Sequence, residues 1–424
     1  MSARLIDRVI GEVDRAVDDI VAWTAELVRI PTINPPGEGY EPCARLIGDR
    51  LARSGFNVEY LAAEGRPEHT SRYPRVNVVG ARRGAGRGPV VHLNGHIDVV
   101  PAGDGWTVDP FGGIVRDGKI YGRGVCDMKA GLAAAICAAE ALERAGVSLP
   151  GTIEISGTAD EESGGFAGVA WLAERGRIAK GRTDFVIIPE PLDVDRICIG
   201  HRGVYWFEVD ARGRIAHGSM PFLGVSAIDA VARVVEAVRR ELGPRLAERV
   251  TAMPVVPEAA RHATINVNGI EGGQPVDGMQ TPCVADRCRA VFDRRFLIEE
   301  DFETVKREVA ALVDRTLAAT PGVTHELRDL MIVHPTRTPE GSPLVAALDD
   351  AIQRVLGRKA ELVASPGTYD HKHVARIAGV PQCVAYGPGE LEMAHQPDEW
   401  CRIDDLVNAT KVLALATLNL MGIY

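Results

Sequence analysis

Short apolar strands alternate with helices along much of the chain, and this alternation restricts the possible folds more than any other feature. Residues 89–93 form a short apolar strand, residues 151–157 and 184–188 are predicted strands, and an alanine-rich helical stretch at 128–145 lies between the first two strands. Strands that alternate with helices typically form a mostly parallel sheet flanked by helices. We therefore predict an α/β fold for this part of the chain.

The sequence pattern changes at about residue 203. From there the predicted order is strand, helix, two strands and a helix, at 204–209, 225–242, 263–270, 284–296 and 301–318. The α/β pattern returns from about residue 332. A chain of 424 residues is too long for one ordinary hydrophobic core. We expect a metal-binding catalytic domain at 1–202 and 331–424, interrupted by an inserted α+β lid and dimerisation domain at 203–330.

Charge and composition argue against several classes of function. The net charge of −10 disfavours nucleic acid, which requires a basic surface. The glycine-rich stretch at 81–89 lacks the Gly-Lys-Ser/Thr ending of a phosphate-binding loop. No apolar signal core and no run of about 18 apolar residues occurs, so no membrane association is expected. The cysteines are scattered without a Cys-x-x-Cys pair, which indicates free thiols and a cytoplasmic protein.

Histidines and carboxylates follow the predicted strands or begin a helix in several segments. The carboxyl ends of parallel strands lie at one edge of a sheet, where ligands collect. We therefore expect these segments to bring imidazole and carboxylate groups together. They carry His96 with Asp98, Asp127, Asp160 with Glu161 and Glu162, Glu190, and His395.

A cluster of this kind requires a cation, because its negative charges repel one another. Imidazole and carboxylate ligands together suit zinc, with manganese or cobalt as substitutes. One or two such ions lower the pKa of a bound water and polarise a carbonyl group. The adjacent Glu161 and Glu162 suggest that one binds metal and the other moves protons. His92 lies inside a predicted strand, and we interpret it as structural.

Four segments resemble, in the same order, a family of dinuclear metallopeptidases. This family contains acetylornithine deacetylase, succinyl-diaminopimelate desuccinylase, aminoacylase and glutamate carboxypeptidase. The segments are Gly-His-Ile-Asp-Val-Val-Pro at 95–101, Gly-Arg-Gly-Val-Cys-Asp-Met-Lys-Ala-Gly at 122–131, Ala-Asp-Glu-Glu-Ser-Gly-Gly at 159–165 and Ala-His-Gly-Ser at 216–219. The resemblance spans nearly the whole chain and implies hydrolysis of an amide bond, but it does not name the substrate.

The resemblance implies a ligand set for two divalent ions. His96, Asp127 and Glu190 would hold one ion. Asp127, Glu162 and His395 would hold the other, with Asp127 as the bridging carboxylate. These assignments place every predicted metal ligand in the α/β part of the chain.

The resemblance also implies the residues that act beside the metal ions. Asp98 would orient the imidazole of His96. Glu161 would be the general base, taking a proton from the attacking water and passing it to the leaving amine. The peptide bond between Asp127 and Met128 would be cis. In the inserted domain, His217 would reach the active site of a neighbouring chain in a homodimer or higher oligomer and stabilise the oxyanion.

Several residues are predicted to contact a small-molecule carboxylate substrate. Arg294 in the inserted domain matches an arginine that pairs with a substrate carboxylate. Met279 stands where relatives have asparagine, and Tyr369 stands in a substrate loop where relatives have a smaller residue. A thioether and an aromatic ring favour an apolar or aromatic substrate body. Further contacts are predicted for Asn268, Gly367 and Thr368.

These features together predict a metal-dependent hydrolase of a C–N bond in a carboxylate-bearing aromatic or N-acyl amino acid substrate. The alternative keeps the metal site but releases ammonia from an activated aryl amine, such as an amino-aromatic acid. A non-catalytic binding protein fits less well, because all the expected ligands and Glu161 are present.

Overall fold

A computed structural model describes residues 2–274 and 282–423 of the chain. The chain divides into two compact units. Unit 1 comprises Met1–Gly200, Thr338–Val363 and Tyr369–Tyr424, and unit 2 comprises His201–Arg337 and Ala364–Thr368. The stretch at 203–330 lies within unit 2, and Ala364–Thr368 is a part of this unit that the sequence pattern does not indicate.

The helices and strands follow one another in three parts of the chain. The first part contains α1 (Ser2–Arg15), α2 (Val17–Val28), α3 (Tyr40–Arg53), β1 (Asn57–Ala62), β2 (Val76–Arg83), β3 (Val90–His96), β4 (Ile114–Arg116), β5 (Lys119–Tyr121), α4 (Ala130–Arg144), β6 (Thr152–Thr158), α5 (Val169–Glu174), β7 (Phe185–Pro191) and β8 (Arg196–His201). The second contains β9 (Gly203–Arg212), α6 (Ala227–Ala237), α7 (Gly243–Ala247), β10 (Thr264–Gly272), β11 (Arg287–Phe296), α8 (Phe302–Ala318), β12 (Thr324–Val333) and β13 (Thr336–Arg337). The third contains α9 (Pro343–Leu356), β14 (Glu361–Ser365), α10 (His371–Arg376), β15 (Cys383–Gly387), β16 (Trp400–Arg402) and α11 (Ile403–Leu420).

A large sheet forms the centre of unit 1, with the strand order β1-β2-β6-β3-β7-β15-β8. The inner strands β6, β3, β7 and β15 pair in parallel. The fold-class prediction is confirmed: the chain has an α/β fold around a mostly parallel central sheet, together with a separate antiparallel sheet. The sequence did not predict the antiparallel pairs that β2 makes with β1 and β6. Residues 63–75 join β1 to β2 without a helix, which is typical of antiparallel neighbours.

Helix α4 is the centre of the helical layer on this sheet. Its residues from Ala130 to Leu142 are all buried, and it contacts α1, α2 and α11 as well as β3 and β7. A helix that is apolar on every side is typical of a protein core. Its alanines allow close packing, and at Gly131 the helix lies directly on the backbone of Pro189 in β7. The helix that begins just after Asp127 is thus pressed against the strand that carries Glu190.

Unit 2 has its own antiparallel sheet and its own core. The strand order is β10-β11-β9-β12, and α6 and α8 pack on one face. Phe207 and Phe292 stack with ring centroids 4.9 Å apart in this core. Both helices begin where the sequence provides a capping side chain: Ser226 accepts from the backbone N–H of Asp229, and Asp301 caps α8 in the same way.

Within 2–274 and 282–423, no helix combines the length and the apolar character that crossing a membrane requires.

The contact between Gly131 and β7 leads to a prediction about stability. A Cβ added at Gly131 would lie 1.8 Å from the carbonyl oxygen of Pro189, so Gly131→Ala must push α4 away from the sheet. We expect a loss of at least about 2 kcal/mol in the free energy of unfolding. Gly11→Ala in α1 is the matched control, because its Cβ would meet only the side chain of Arg15 at 3.5 Å or more.

Denaturant unfolding measures both variants. Gly11→Ala should be neutral or stabilising by up to about 1 kcal/mol, because alanine is the better helix former. Equal stability of the two variants would contradict the close packing of α4 on β7.

Candidate metal centre

The predicted metal ligands lie where strands of the central sheet end. His96 is the last residue of β3, and Glu190 lies near the end of its parallel neighbour β7. Glu162 belongs to a single helical turn after β6. Asp127 lies in the segment Val125–Lys129 that leads into α4, and His395 lies between β15 and β16. Parallel pairing of β6, β3 and β7 brings their carboxyl ends to one edge.

Asp127 lies between two imidazoles. Its Oδ1 is 3.0 Å from Nε2 of His96, and its Oδ2 is 3.4 Å from Nε2 of His395. Nε2 of His395 also lies 3.0 Å from Oε1 of Glu162. Ligand atoms of His96, Asp127 and Glu162 all lie within 4.8 Å of one another. One carboxylate with an imidazole at each oxygen is the arrangement expected of a ligand that bridges two ions.

The charges in this cluster shift its pKa values strongly. Burial and the neighbouring Asp127 raise the pKa of Glu162 to about 7 and also raise the pKa of Glu190. Burial alone would raise the pKa of Asp127, but hydrogen bonds from His395 and His96 lower it. Hydrogen bonds to Asp127 and Glu162 raise the pKa of His395 to about 10.

The residues present fit a divalent cation. Nδ1 of His96 donates to the backbone carbonyl of Asp98 at 2.9 Å, and a carbonyl can only accept, so the neutral ring carries its hydrogen on Nδ1. Nε2 is then the lone-pair nitrogen, and it faces Asp127. Imidazole nitrogen and carboxylate oxygen are ligand types of zinc and of related divalent ions.

Asp98 contacts more of the site than the sequence predicts. Its carboxylate Oδ1 lies 3.6 Å from Nδ1 of His96. The same carboxylate accepts hydrogen bonds from the backbone N–H groups of Glu161 and Glu162, each at 3.1 Å, and from Nδ2 of Asn34 at 2.9 Å. Asp98 therefore holds the turn that carries both glutamates. Asn34 was not predicted, because nothing in its proline-rich loop indicates a contact with residues so far along the chain.

A buried ion pair holds the other two ligand segments. Oε2 of Glu399 accepts from Nη1 of Arg123 at 2.6 Å, and both side chains are almost fully buried. Oε1 of Glu399 accepts from the backbone N–H groups of Cys126 and Asp127, while Nη2 of Arg123 donates to the carbonyl of His395. This pair was not predicted from the sequence. Arg123 stands between two glycines in the motif at 122–131, but Glu399 carries no local signal.

Glu161 and Glu162 have different partners. Glu162 contacts His395, whereas Oε1 of Glu161 accepts a hydrogen bond from Nζ of Lys372 at 3.0 Å. Burial alone would lower the pKa of Lys372, but carboxylates including Glu161 and Asp370 raise it. The ammonium group therefore stays charged beside Glu161.

Two further predictions concern the neighbourhood of the cluster. The peptide bond between Asp127 and Met128 is cis, as predicted. His92 is buried in β3 and contacts Ser156 at 2.7 Å and Glu154 at 3.2 Å. These partners belong to the neighbouring strand β6, in agreement with a structural role for His92.

Three of the other predicted site residues lie in unit 2. His217 is exposed, and its Nδ1 accepts a hydrogen bond from the backbone N–H of Ser219 at 3.1 Å. Asn268 is exposed at the irregularity in β10. Arg294 is completely buried and pairs with Glu300 at 2.5 Å. In the alternation of β11, Arg294 shares a face with buried phenylalanines. The substrate-binding roles of Asn268 and Arg294 stay predictions.

Most of the remaining predicted substrate contacts directly precede α10 in the sequence. Gly367 and Thr368 are partly buried and belong to unit 2. Tyr369 belongs to unit 1 and is buried, with its hydroxyl 3.4 Å from the carbonyl of Cys198 and 3.3 Å from Nδ1 of His371. Met279 lies outside the described residues.

Comparisons with known proteins assign the chain to a family and support the fold. Residues 92–419 match the sequence model of Peptidase family M20/M25/M40. A succinyl-diaminopimelate desuccinylase of Thioalkalivibrio sulfidiphilus (strain HL-EbGR7) is 31% identical over 403 residues, which are 92% of this chain and 96% of that protein.

Two solved structures share the fold. The di-peptidase Dug1p from Saccharomyces cerevisiae superposes with a TM-score of 0.78 at 17% identity and covers 98% of both chains. The M20 family metallo-carboxypeptidase Sso-CP2 from Sulfolobus solfataricus superposes with a TM-score of 0.77 at 21% identity, over 96% of this chain and 99% of that chain. At these identities the similarity establishes the fold alone.

The raised pKa values predict that metal binding releases protons. In the metal-free protein, Glu162, Glu190, His96 and His395 hold protons to higher pH than usual, and these protons compete with a cation. Raising the pH removes the competitor, so the affinity for Zn²⁺ should increase from about pH 6 to about pH 8. Calorimetric titration in buffers of different ionisation enthalpy measures both the affinity and the protons released. A pH-independent affinity without proton release would contradict this assignment of the ligands.

Proposed function

The chain belongs to Peptidase family M20/M25/M40 and is a metal-dependent hydrolase of amide bonds, and we propose that its substrate is an N-acyl amino acid or a related small amide that carries a carboxylate. The observation that carries this proposal is the position of Asp127 between the imidazoles of His96 and His395. One carboxylate with two histidines at its two oxygens suits a pair of divalent ions.

We assign the ligands to the two ions as follows. His96, Asp127 and Glu190 would hold one ion, and Asp127, Glu162 and His395 would hold the other. Zinc fits these ligands, and manganese or cobalt are substitutes. Bound ions would lower the pKa of a water molecule and polarise the carbonyl group of the scissile amide.

Glu161 is the residue we propose as general base. Its carboxylate makes no contact with either imidazole among the described residues, in contrast to that of Glu162. In the proposed reaction, Glu161 accepts a proton from the attacking water as the new C–O bond forms. It then gives the proton to the amine nitrogen as the C–N bond breaks, so that the products are a carboxylic acid and an amine.

The carboxylate of the substrate requires a donor such as a guanidinium group. Arg294 is the predicted donor, but its guanidinium already pairs with Glu300, so a substrate would have to compete with that carboxylate. Arg295 lies on the opposite face of β11, is 24% exposed in its side chain and pairs with Asp293. Comparing Arg294→Ala with Arg295→Ala therefore tests the prediction, because only the variant that removes the substrate contact should raise KM.

The function is tested with a panel of substrates and the metal-loaded protein. The panel contains N-acyl aromatic amino acids, N-succinyl-diaminopimelate and amino-aromatic acids, and mass spectrometry identifies the products. We expect a carboxylic acid and an amine from at least one N-acyl amino acid. Free ammonia with a hydroxylated ring would support the aminohydrolase alternative, and no hydrolysis of any amide would contradict the proposal.

The same panel tests the narrower prediction of an aromatic or apolar substrate body. That prediction depends on Met279 and on Tyr369, whose hydroxyl already contacts Cys198 and His371. Because the relative from Thioalkalivibrio sulfidiphilus is a succinyl-diaminopimelate desuccinylase, N-succinyl-diaminopimelate is the substrate to compare with the aromatic ones. If the succinyl compound has the higher kcat/KM by more than about tenfold, or roughly 1.4 kcal/mol, the aromatic prediction is wrong.

The roles of the two adjacent glutamates are separated by Glu161→Gln and Glu162→Gln. We expect Glu161→Gln to lose about two to four powers of ten in kcat and to keep its metal. Glu162→Gln should lose metal affinity, because Glu162 is the glutamate that contacts His395. Elemental analysis with steady-state kinetics measures both effects, and metal loss confined to the Glu161 variant would reverse the assignment.

We also propose that the active form is at least a homodimer in which His217 acts at the metal centre of the neighbouring chain. Ser219 donates to Nδ1 of His217, so a neutral His217 carries its hydrogen on Nε2 and is able to donate it to an oxyanion. Unit 2 exposes Phe222, Ile228 and Ile270, and β10 is an edge strand. These features support symmetric pairing of two copies.

Subunit mixing tests this proposal. His217→Ala and Glu161→Gln should each be nearly inactive alone, but a mixed dimer contains one site with both native residues. Activity should therefore return after the subunits exchange, up to about one quarter of the wild-type value per chain if exchange is random. Verified exchange without recovery would show that His217 does not act across chains.

A further inference from the structure

Lys372 is a buried lysine beside Glu161, the proposed general base. It lies in the first turn of α10 and is only 5% exposed. Its Nζ donates to Oε1 of Glu161 at 3.0 Å. Among the described residues, no other side chain donates a hydrogen bond to the carboxylate of Glu161. An ammonium group from a distant part of the chain is thus directed at this one carboxylate.

The start of α10 has hydrogen bonds besides the contact between Lys372 and Glu161. The preceding residue, Asp370, accepts a hydrogen bond from Nδ2 of Asn94 at 3.1 Å. The backbone N–H of Lys372 donates to the carbonyl of Tyr369 at 3.1 Å. Burying an ammonium group costs free energy, which a single ion pair does not necessarily offset. The anchoring of α10 and the position of the ammonium group are therefore separate features.

The two adjacent glutamates share a backbone anchor but differ in their side-chain partners. Both have backbone N–H groups bound to Asp98, so the same carboxylate holds the backbone of both. Their side chains differ in partner: Glu162 contacts His395, and Glu161 contacts Lys372. Removing the ammonium group would leave Glu161 without a side-chain donor, next to a cluster that attracts carboxylates when it binds cations.

We propose that Lys372 is a positioning residue for Glu161. The ammonium group holds Oε1 of Glu161 away from the metal ligands, and Oε2 remains available to accept the proton of the attacking water. This inference rests on the proposed function, because it takes Glu161 as the general base. It assigns to Lys372 an effect on turnover that acts through Glu161 and requires no contact with the substrate.

A set of variants tests the proposal by kinetics. Lys372→Met should lower kcat by about ten- to a hundredfold, a part of the general-base contribution, with KM changed less than about threefold and metal content unchanged. Lys372→Arg keeps a donor of similar reach and should recover most of the activity. Lys306→Met, which removes a lysine paired with Asp329 in unit 2, is the control and should keep full activity.

A double variant distinguishes positioning from general stabilisation. If Lys372 acts through Glu161, then Glu161→Gln with Lys372→Met should be no slower than Glu161→Gln alone. Additive losses would overturn the proposal. It would also be overturned if Lys372→Met and Lys372→Arg both lost metal and melted at lower temperature, which a merely structural lysine would cause.

A crystal structure of Lys372→Met separates this inference from the proposed function. We expect the carboxylate of Glu161 to move while Asp127 and Glu162 stay in place, and an unmoved Glu161 would overturn the inference even if the enzyme is active. If the wild-type protein hydrolyses no amide in the panel, the proposed function fails. The position of Glu161 in the variant still decides whether Lys372 positions that carboxylate.

Discussion

Repulsion among buried carboxylates is the constraint on which the rest of unit 1 depends. Each carboxylate at the carboxyl ends of the central strands must have a compensating partner, because isolated buried charges are unfavourable. Asp127 has two imidazoles, Asp98 has backbone N–H groups, and Glu161 has a buried ammonium group. Glu162 and Glu190 keep raised pKa values. They therefore hold protons to higher pH than usual, and divalent cations would replace these protons at the site.

Two of the carboxylates accept hydrogen bonds from backbone segments and are not among the predicted metal ligands. Asp98 binds the N–H groups of the Glu161–Glu162 turn, and Glu399 binds those of Cys126 and Asp127. Hydrogen bonds from neutral donors to a charged acceptor are stronger than those between neutral groups. The ligand-bearing segments are irregular, so without these bonds their N–H groups would be buried and unpaired. The carboxylates of Asp98 and Glu399 thus determine the backbone conformation of the loops that carry the predicted ligands.

The sequence predicted many of the strands and helices because these follow from local pattern, and its prediction of a ligand cluster has the same basis. Apolar runs of strand length end at His96 and before Glu162 and Glu190, and parallel pairing brings such ends together whatever the intervening loops do. The antiparallel pairing of β1 with β2 was not predicted, because the pairing of strands depends on the tertiary structure. Arg123 and Glu399 lie 276 positions apart, and no local pattern links them.

By itself, the sequence determined the α/β class and the family to which the chain belongs, and it predicted which residue types would hold the metal ions. Only the tertiary structure decided which partner each of these residues has. Glu161 and Glu162 are identical in type and adjacent in sequence, yet one contacts Lys372 and the other His395. The role of an ionisable side chain depends on the charges and donors within a few ångströms of it. Those neighbours come from distant parts of the chain, and folding alone brings them together.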